Sequence, residues 1–343
     1  MKSIKRILVL VNPTASDHAG RQVWAALLPR FQQLFSSYDY EVQETQSKEH
    51  CIELGATTTA DLVISVSGDG AVHDIAQGIM ARPQEERPAL TVVPVGSGND
   101  FARTLGLPAE PHQAIEAIRK GRRMAFDVGR CNDTYFLETL SFGIDAAIAV
   151  NTYEKRKTTT HRGFMLYAGV AVSSIIHDLR KHHFTYRVDG GPPIQEDFVI
   201  FAIQNGPTYG GGFKVAPAAL PHDGLFNVCQ ALDTKKIYAL YTLAKMAGGK
   251  HEALPIIRTM TARSLDIELD QQVPVQVDGE ALSGTHFDIE MCPQALDVIV
   301  AHEAFRHYAA AGQGTGGQGS VAAGQGSVAA GQSAAKQDAA QGA

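Results

Sequence analysis

The chain has 343 residues, 44% of them hydrophobic and 19% charged, with a formal net charge of -6. That length can bury two hydrophobic cores, and the acidic balance excludes the global basic field that draws a protein to nucleic acid or an anionic membrane. No nucleic-acid partner is expected, and any membrane contact has to be local.

No run approaches the roughly 20 apolar residues of a bilayer-spanning helix, so the chain reads as peripheral rather than transmembrane. The four cysteines, Cys51, Cys131, Cys229 and Cys292, form no CxxC pair. This argues against a zinc site or a disulfide framework and for a reducing, cytoplasmic setting. Residues 4–11 (IKRILVLV) form an apolar run ending at Asn12-Pro13, the pattern of a strand buried on both faces. Apolar residues then recur at helical spacing from Arg21 to about Phe35. YEVQET reads as a second strand and Lys48 to Ala56 as a second helix. DLVISV is a third strand, followed by the turn SGDG and a helix over AVHDIAQGIM that stops before Pro83. LTVVPV is a fourth strand, leading into Gly96-Ser97-Gly98. Strands alternating with helices predict a mostly parallel sheet covered by helices, with ligands at the loops beyond the strand C-termini.

After about residue 125 the pattern turns to alternating strand-like segments: TYFLETLSFG, FTYRVDG, QEDFVIFAIQN, GLFNVCQAL, RSLDIELD, VPVQVDGE and FDIEMCPQALDVIV. They predict an antiparallel β domain interrupted by helices over Phe164 to about Lys181 and near Lys235 to Met246. The expected division is an α/β domain over 1–125, a β-rich domain over 126–302 and a tail over 309–343. Residues 293–308 are expected to return to the first domain. The tail repeats GQGSVAA and lacks large apolar residues, so it reads as a disordered, solubilising extension.

Two strand-to-glycine-to-helix junctions carry the chemistry. In SVSGDGAVHDIAQGI, Gly68 and Gly70 let the backbone approach a phosphate, and Asp69 at the helix start is placed to hold Mg²⁺; an Asp-Gly turn that caps the helix is the plainer alternative. In VVPVGSGNDFARTLGLP, Gly96 and Gly98 repeat the arrangement. Ser97 is a candidate phosphate contact, and Asn99 either contacts nucleotide or caps the helix. VPVQVDGEAL places Asp278 and Glu280 after a strand, either at a cleft or in a solvated turn. Asp145, in SFGIDAAIAV, is an N-cap or a group that meets a substrate head group. RGFMLYAGVAVSSII is apolar enough to line an acyl pocket, though a helix of this kind is more often core. The histidines, including His161, His182 and His183, show no metal-ligand spacing and read as surface residues.

Asn12-Pro13, SGDG at 67–70, PVGSGNDFARTLGLP at 94–108, GGFKVAPAALPHDG at 211–224 and VDGE at 277–280 together resemble the diacylglycerol kinase catalytic-domain family, which includes bacterial lipid kinases and sphingosine kinases. The resemblance spans about residues 4–302. It implies ATP and Mg²⁺ bound between an α/β domain and a β-sandwich, and transfer of the γ-phosphoryl group to a lipid hydroxyl, diacylglycerol first, at a membrane surface. Transient membrane association follows from that, and a homodimer is compatible with it. By position, Asn12, Ser97 and Asn99 are implied nucleotide contacts. Asp69 is implied to serve Mg-ATP and, as in sphingosine kinases, as a base. Asp278 and Glu280 fall on the D-G-E motif where bacterial relatives are thought to place the catalytic base, with Asp278 the first choice. Asp223 falls on a turn that carries structural Mg²⁺ in some relatives, although the usual later Asp is Asn227 here. Ala71 stands where the family usually has Thr, and Asp74 and Gln77 replace Glu and Asn. No GxxxxGKS/T loop and no protein-kinase HRD or DFG set is present. Kinases of a sphingoid base or other lipid alcohol, of NAD or of a sugar phosphate, and a non-catalytic lipid-binding protein, remain as rival readings.

Overall fold

The computed structural model describes residues 4–156 and 163–315. His161 and the tail from 316 lie outside that range. The N-terminal part runs β1 (Arg6–Val11), α1 (Ala15–His18), α2 (Gly20–Leu34), β2 (Asp39–Glu44), α3 (Lys48–Thr57), β3 (Leu62–Ser67), α4 (Asp69–Met80), β4 (Ala89–Pro94), α5 (Asp100–Thr104) and α6 (Pro111–Lys120). The C-terminal part continues with β5 (Arg122–Cys131), β6 (Thr134–Phe136), β7 (Thr139–Gly143), α7 (Ile144–Arg156), α8 (Gly163–Asp178), β8 (His182–Val188), β9 (Ile194–Phe198), β10 (Ile200–Gln204) and β11 (Phe226–Ala231). It ends with α9 (Lys236–Ala247), β12 (Ile257–Ala262), β13 (Ser264–Leu269), β14 (Val275–Val277), β15 (Glu280–Leu282), β16 (His286–Val300) and α10 (His302–Thr315).

β1 to β4 pair in parallel in the order β2-β1-β3-β4. Every residue of β3 and β4 is buried, as their unbroken apolar runs require when helices cover both faces. The core joins Ile7–Val11, Leu62–Val66 and Leu90–Val93 to Trp24, Leu27 and Phe31 of α2 and Ile75 and Ile79 of α4. α3 and α4 pack so closely that a Cβ on Gly78 would stand 1.9 Å from the Ile52 carbonyl oxygen, which is why a glycine interrupts an otherwise apolar helix face.

The C-terminal domain is a sandwich. One sheet runs β12-β11-β10-β7-β14-β15; the other is the continuation β16-β13-β8-β9 of the first domain's sheet. Phe142, Phe201 and Phe226 from one sheet and Phe184, Phe198 and Phe287 from the other fill the space between them. Long β16 joins the two domains. Its first half pairs with β13, and its register against β5 shifts between Cys292 and Leu296. Beyond that bulge Val298 lies parallel to Leu90 of β4, so the chain's last strand closes the first domain's sheet. α10 follows and runs through Thr315, past residue 309, where the sequence loses its large apolar residues. His182 is buried against Phe198, contrary to its surface reading, because β8 turns it inward.

Candidate active site

The glycine loops after β3 and β4 meet each other before they meet any ligand. A Cβ on Gly96 would lie 2.4 Å from the Gly68 Cα, and one on Gly68 would lie 2.9 Å from the Gly96 Cα. These two glycines are therefore needed for backbone-to-backbone contact between the loops, a reason other than phosphate approach. A Cβ on Gly98 would press on Asp69 Oδ2 at 2.6 Å, whereas Gly70 faces open space. Of the four glycines, Gly70 is the one with room for a phosphate.

Asn99, in the left-handed region at φ 56°, locks the second loop. Its Oδ1 accepts from the Gly96 N–H at 2.9 Å and its Nδ2 donates to the Gly96 carbonyl at 2.8 Å. Its side chain does not cap α5. Ser97 Oγ accepts from the Gly163 N–H at 2.7 Å, tying the loop to the start of α8. Asn12 Oδ1 accepts from the Thr14 N–H and hydroxyl at 3.0 and 2.8 Å, an Asx-turn that shapes the loop after β1.

Asp69 opens α4, whose N-terminus has no side-chain cap, and its Oδ1 accepts from the Phe101 N–H at 3.2 Å. Burial, then the neighbouring Asp100 charge, pushes its carboxyl up to about 6. Asp100, buried, accepts from Arg103 at 2.9 Å, the Thr208 hydroxyl at 3.1 Å and the Gly211 N–H at 2.7 Å, and so ties the second loop to the C-terminal domain. Asp69 and Asp100 line a cleft with His73, Glu138, Thr139, Asp278, Gly279, Tyr167 and Tyr209. The residues fit a magnesium-bound polyphosphate: a divalent cation at Asp69 would offset the crowding of negative charge that raises its carboxyl, and the uncapped start of α4 with open Gly70 offers N–H groups to phosphate. Mg²⁺ bound there would screen the charge of the phosphates.

Asp278, the sequence's first choice for general base, lines the cleft with its carboxylate held by hydrogen bonds. Its Oδ1 accepts from the N–H groups of Glu138 and Thr139, both at 3.0 Å, and its Oδ2 from Leu137 N–H at 2.7 Å. His73 Nδ1 adds a contact to Oδ2 at 3.1 Å. With φ at 47° in the β14–β15 turn, Asp278 is a clamp that holds the β6–β7 segment onto α4, with its lone pairs committed. Glu280 lies outside the cleft lining and is half exposed, its Oε2 3.4 Å from Lys48 Nζ, which also stands 3.7 Å from Asp74. Asp223 is exposed on the turn before β11 and accepts from Leu225 N–H; it too lies away from the cleft. Among the described residues the group of three with metal-ligand spacing is Asp266, Glu268 and His286, on sandwich strands far from Asp69 in the sequence.

Sequence reasoning missed His73 and Glu138. Glu138 is buried, accepts from the Thr104 hydroxyl at 2.9 Å and leaves Oε1 without a partner among the described residues. Burial and then the Asp278 charge raise its carboxyl well above the ordinary range. No local signal marks either residue, since both are defined by contacts across the domain boundary.

Beside the cleft is a narrow apolar pocket. Tyr167, Ala171 and Ile175 of α8, Leu243 and Met246 of α9, and Phe213 line it. Tyr167, Tyr209 and Gly210 border both the pocket and the cleft. Asp145 stands at this junction, accepting from the Tyr209 hydroxyl at 3.0 Å. Burial pushes its carboxyl up to about 7, tempered by the Ser141 and Tyr209 hydroxyls.

An acidic cleft at two glycine loops, joined to an apolar pocket, on an α/β domain followed by a β-sandwich, is the arrangement of a phosphotransferase for a partly apolar acceptor. The sequence matches the model of the diacylglycerol kinase catalytic domain over residues 6–131 and that of the YegS C-terminal NAD kinase beta sandwich-like domain over residues 138–300. The two matched domains, one following the other, are those of a lipid kinase, for which ATP is the implied phosphoryl donor. The chain is 29% identical over 249 residues to a Yersinia pestis protein named "Probable lipid kinase YegS-like", covering 71% of this chain and 80% of the relative. The fold is similar to that of a Bacillus anthracis diacylglycerol kinase, with a TM-score of 0.71 at 24% identity over 88% of this chain and 99% of that one. An Archaeoglobus fulgidus NAD kinase solved with ATP shares the fold more distantly, with a TM-score of 0.50 at 16% identity over 89% of this chain and 97% of that one. Among the described residues no helix is long and apolar enough to cross a membrane.

Proposed function

We propose that the protein transfers the γ-phosphoryl group of Mg-ATP to a lipid hydroxyl, with diacylglycerol as acceptor and phosphatidic acid as product. The observation that carries this reading is the apolar pocket bordering the Asp69 cleft through Tyr167, Tyr209 and Gly210. An acyl chain in the pocket would leave its glycerol hydroxyl at the Asp145–Tyr209 junction, facing the nucleotide loops. Sugar phosphates are polar throughout and NAD carries no alkyl chain, whereas an acyl chain matches the pocket's apolar lining, which favours a lipid over those rivals. The α/β domain over 1–125 would supply the nucleotide loops and the sandwich over 126–302 the acceptor pocket.

In this reading Gly70 and the start of α4 receive the phosphates. Asp69 would hold the metal and is the candidate to accept the acceptor's proton; bound Mg²⁺ would draw its carboxyl down from the value raised by burial and Asp100. Asp278 and Glu280 support the site from outside the chemistry. Because phosphoryl transfer passes through a loose transition state, positioning and charge matter more than early proton removal. Incubation of the protein with labelled ATP, Mg²⁺ and dispersed diacylglycerol should yield labelled phosphatidic acid, and Asp69→Asn should lower kcat by roughly 10²–10⁴ with folding retained. A correctly folded Asp69→Asn protein with unchanged turnover would remove Asp69 from the mechanism.

A further inference from the structure

Opposite the faces that line the apolar pocket, α8 and α9 expose large apolar side chains. On α8, Ala171 and Ile175 point into the pocket while Met165, Val172 and Ile176 are exposed, Met165 to 68%. On α9, Thr242 and Met246 line the pocket while Ile237 and Tyr241, one turn apart, are exposed, Ile237 to 79%. The helices are tied where Lys236 Nζ donates to the Ile176 carbonyl at 2.5 Å, so Ile176 and Ile237 belong to one patch. Leu179, Thr234, Ala239 and Leu243 line the pocket yet remain only partly buried, as do Ile148, Ile200 and Ile256 elsewhere around it, so part of its accessible rim falls between these same helices.

The charge around the patch is basic although the chain as a whole is acidic. α9 carries no Asp or Glu, and Lys235, Lys236 and Lys245 flank its exposed apolar residues, Lys245 lying 5.3 Å from the Tyr241 ring centre. Arg180 and Lys181 follow α8, with Lys181 paired to Asp197. The acidic residues on the two segments are Asp178 and Asp233. Apolar side chains that can enter the headgroup region, ringed by lysines, form the pattern of an interfacial helix pair on anionic lipid.

We propose that the outer faces of α8 and α9 dock on an anionic lipid surface, so that the pocket opens directly into the bilayer. The proposal rests on the lipid-kinase reading: a two-chain lipid does not cross water unaided, and a rim that lies partly within the docking patch lets its chains pass from bilayer to pocket without exposure. None of Ile176, Ile237, Lys235 and Lys236 lines the pocket or the cleft.

Flotation of the full chain with phosphatidylcholine vesicles, with and without phosphatidylglycerol, tests it. The wild-type protein should bind the mixed vesicles more tightly. Ile176→Glu/Ile237→Glu should weaken that binding by about tenfold or more, and Lys235→Glu/Lys236→Glu should abolish the preference for phosphatidylglycerol. Both variants should keep wild-type turnover on a water-dispersed short-chain diacylglycerol, which also reports intact folding. Wild-type-like vesicle binding by both variants overturns the proposal. So does a wild-type dimer that Ile176→Glu/Ile237→Glu dissociates, since the patch would then be covered by a second copy. Vesicle binding with these mutational effects but no phosphoryl transfer to any lipid would sink the functional reading alone.

Discussion

Asp278 shows how a residue's position in a motif and its position in the molecule can assign it different work. Three backbone N–H groups and His73 contact its carboxylate, which therefore ties together loops of both domains, and the proposed mechanism gives the proton to Asp69 instead. Asp278→Asn keeps the shape but turns part of the acceptor set into a donor facing N–H groups. It should cost about 1–3 kcal/mol of stability in denaturant unfolding and leave the acidic limb of the pH–rate profile in place. Loss of that limb with unchanged stability would restore Asp278 as the base. Asp145 gives a second test at this scale. Its folded carboxyl is raised to about 7, so its favourable contribution is full below its unfolded value near 4 and is lost as pH rises towards 7. The stability of Asp145→Asn relative to wild type should therefore improve between pH 5 and pH 8 in thermal melts, by up to a few kcal/mol. A difference that stays flat with pH would mean that the buried carboxyl is not raised. The sequence marks Asp69 as a site residue because the residue and its strand–glycine–helix setting are contiguous. It could not mark His73 or Glu138, whose contacts with Asp278 and Thr104 span more than 30 residues.

At the scale of elements, the two glycine loops divide their work in a way the motif hides. Gly68 and Gly96 serve each other's backbone, while Gly70 faces space. Gly96→Ala should destabilise the protein by about 1–3 kcal/mol as the loops are pushed apart. Gly70→Ala should leave stability within about 0.5 kcal/mol yet raise the KM for ATP, because its Cβ occupies the space left for phosphate. If Gly70→Ala changed neither, the phosphates would have to bind elsewhere. The alternating strands and helices of residues 4–95 were legible because buried parallel strands are unbroken apolar runs bounded by turn residues. α6 is absent from that reading although its signals are present: Pro111 in the first turn, Glu110 capping the N–H groups of His112 and Gln113, and Ala114, Ile115 and Ile118 on one buried face. β12 was not legible. It is an edge strand in which Arg258, Thr259 and Thr261 are exposed, so neither alternation nor an apolar run announces it.

Across the whole molecule, two cores are joined by β16 and by polar ties that cross the cleft. Gln77 bonds both backbone groups of Tyr135, Asp100 holds Thr208 and Gly211, Thr104 holds Glu138, and Lys48 meets Glu280. The cleft is thus framed by groups from both domains, and the apolar pocket opens beside it in the second. That β16 would carry one continuous sheet from the first domain into the second depends on a bulge between Cys292 and Leu296, a feature of pairing that no local pattern reveals. The central claim is that the pocket and the cleft serve one reaction, with a lipid hydroxyl delivered to Mg-ATP at Asp69. The most direct test is labelled-ATP transfer to diacylglycerol, with NAD as competitor acceptor, by wild type and by Ala171→Trp, whose enlarged side chain fills the pocket away from the nucleotide loops. The account predicts phosphatidic acid as the product and a KM for diacylglycerol at least about tenfold higher in Ala171→Trp, with the KM for ATP within about twofold. Phosphorylation of NAD in preference to every lipid alcohol, undiminished by Ala171→Trp, would contradict it.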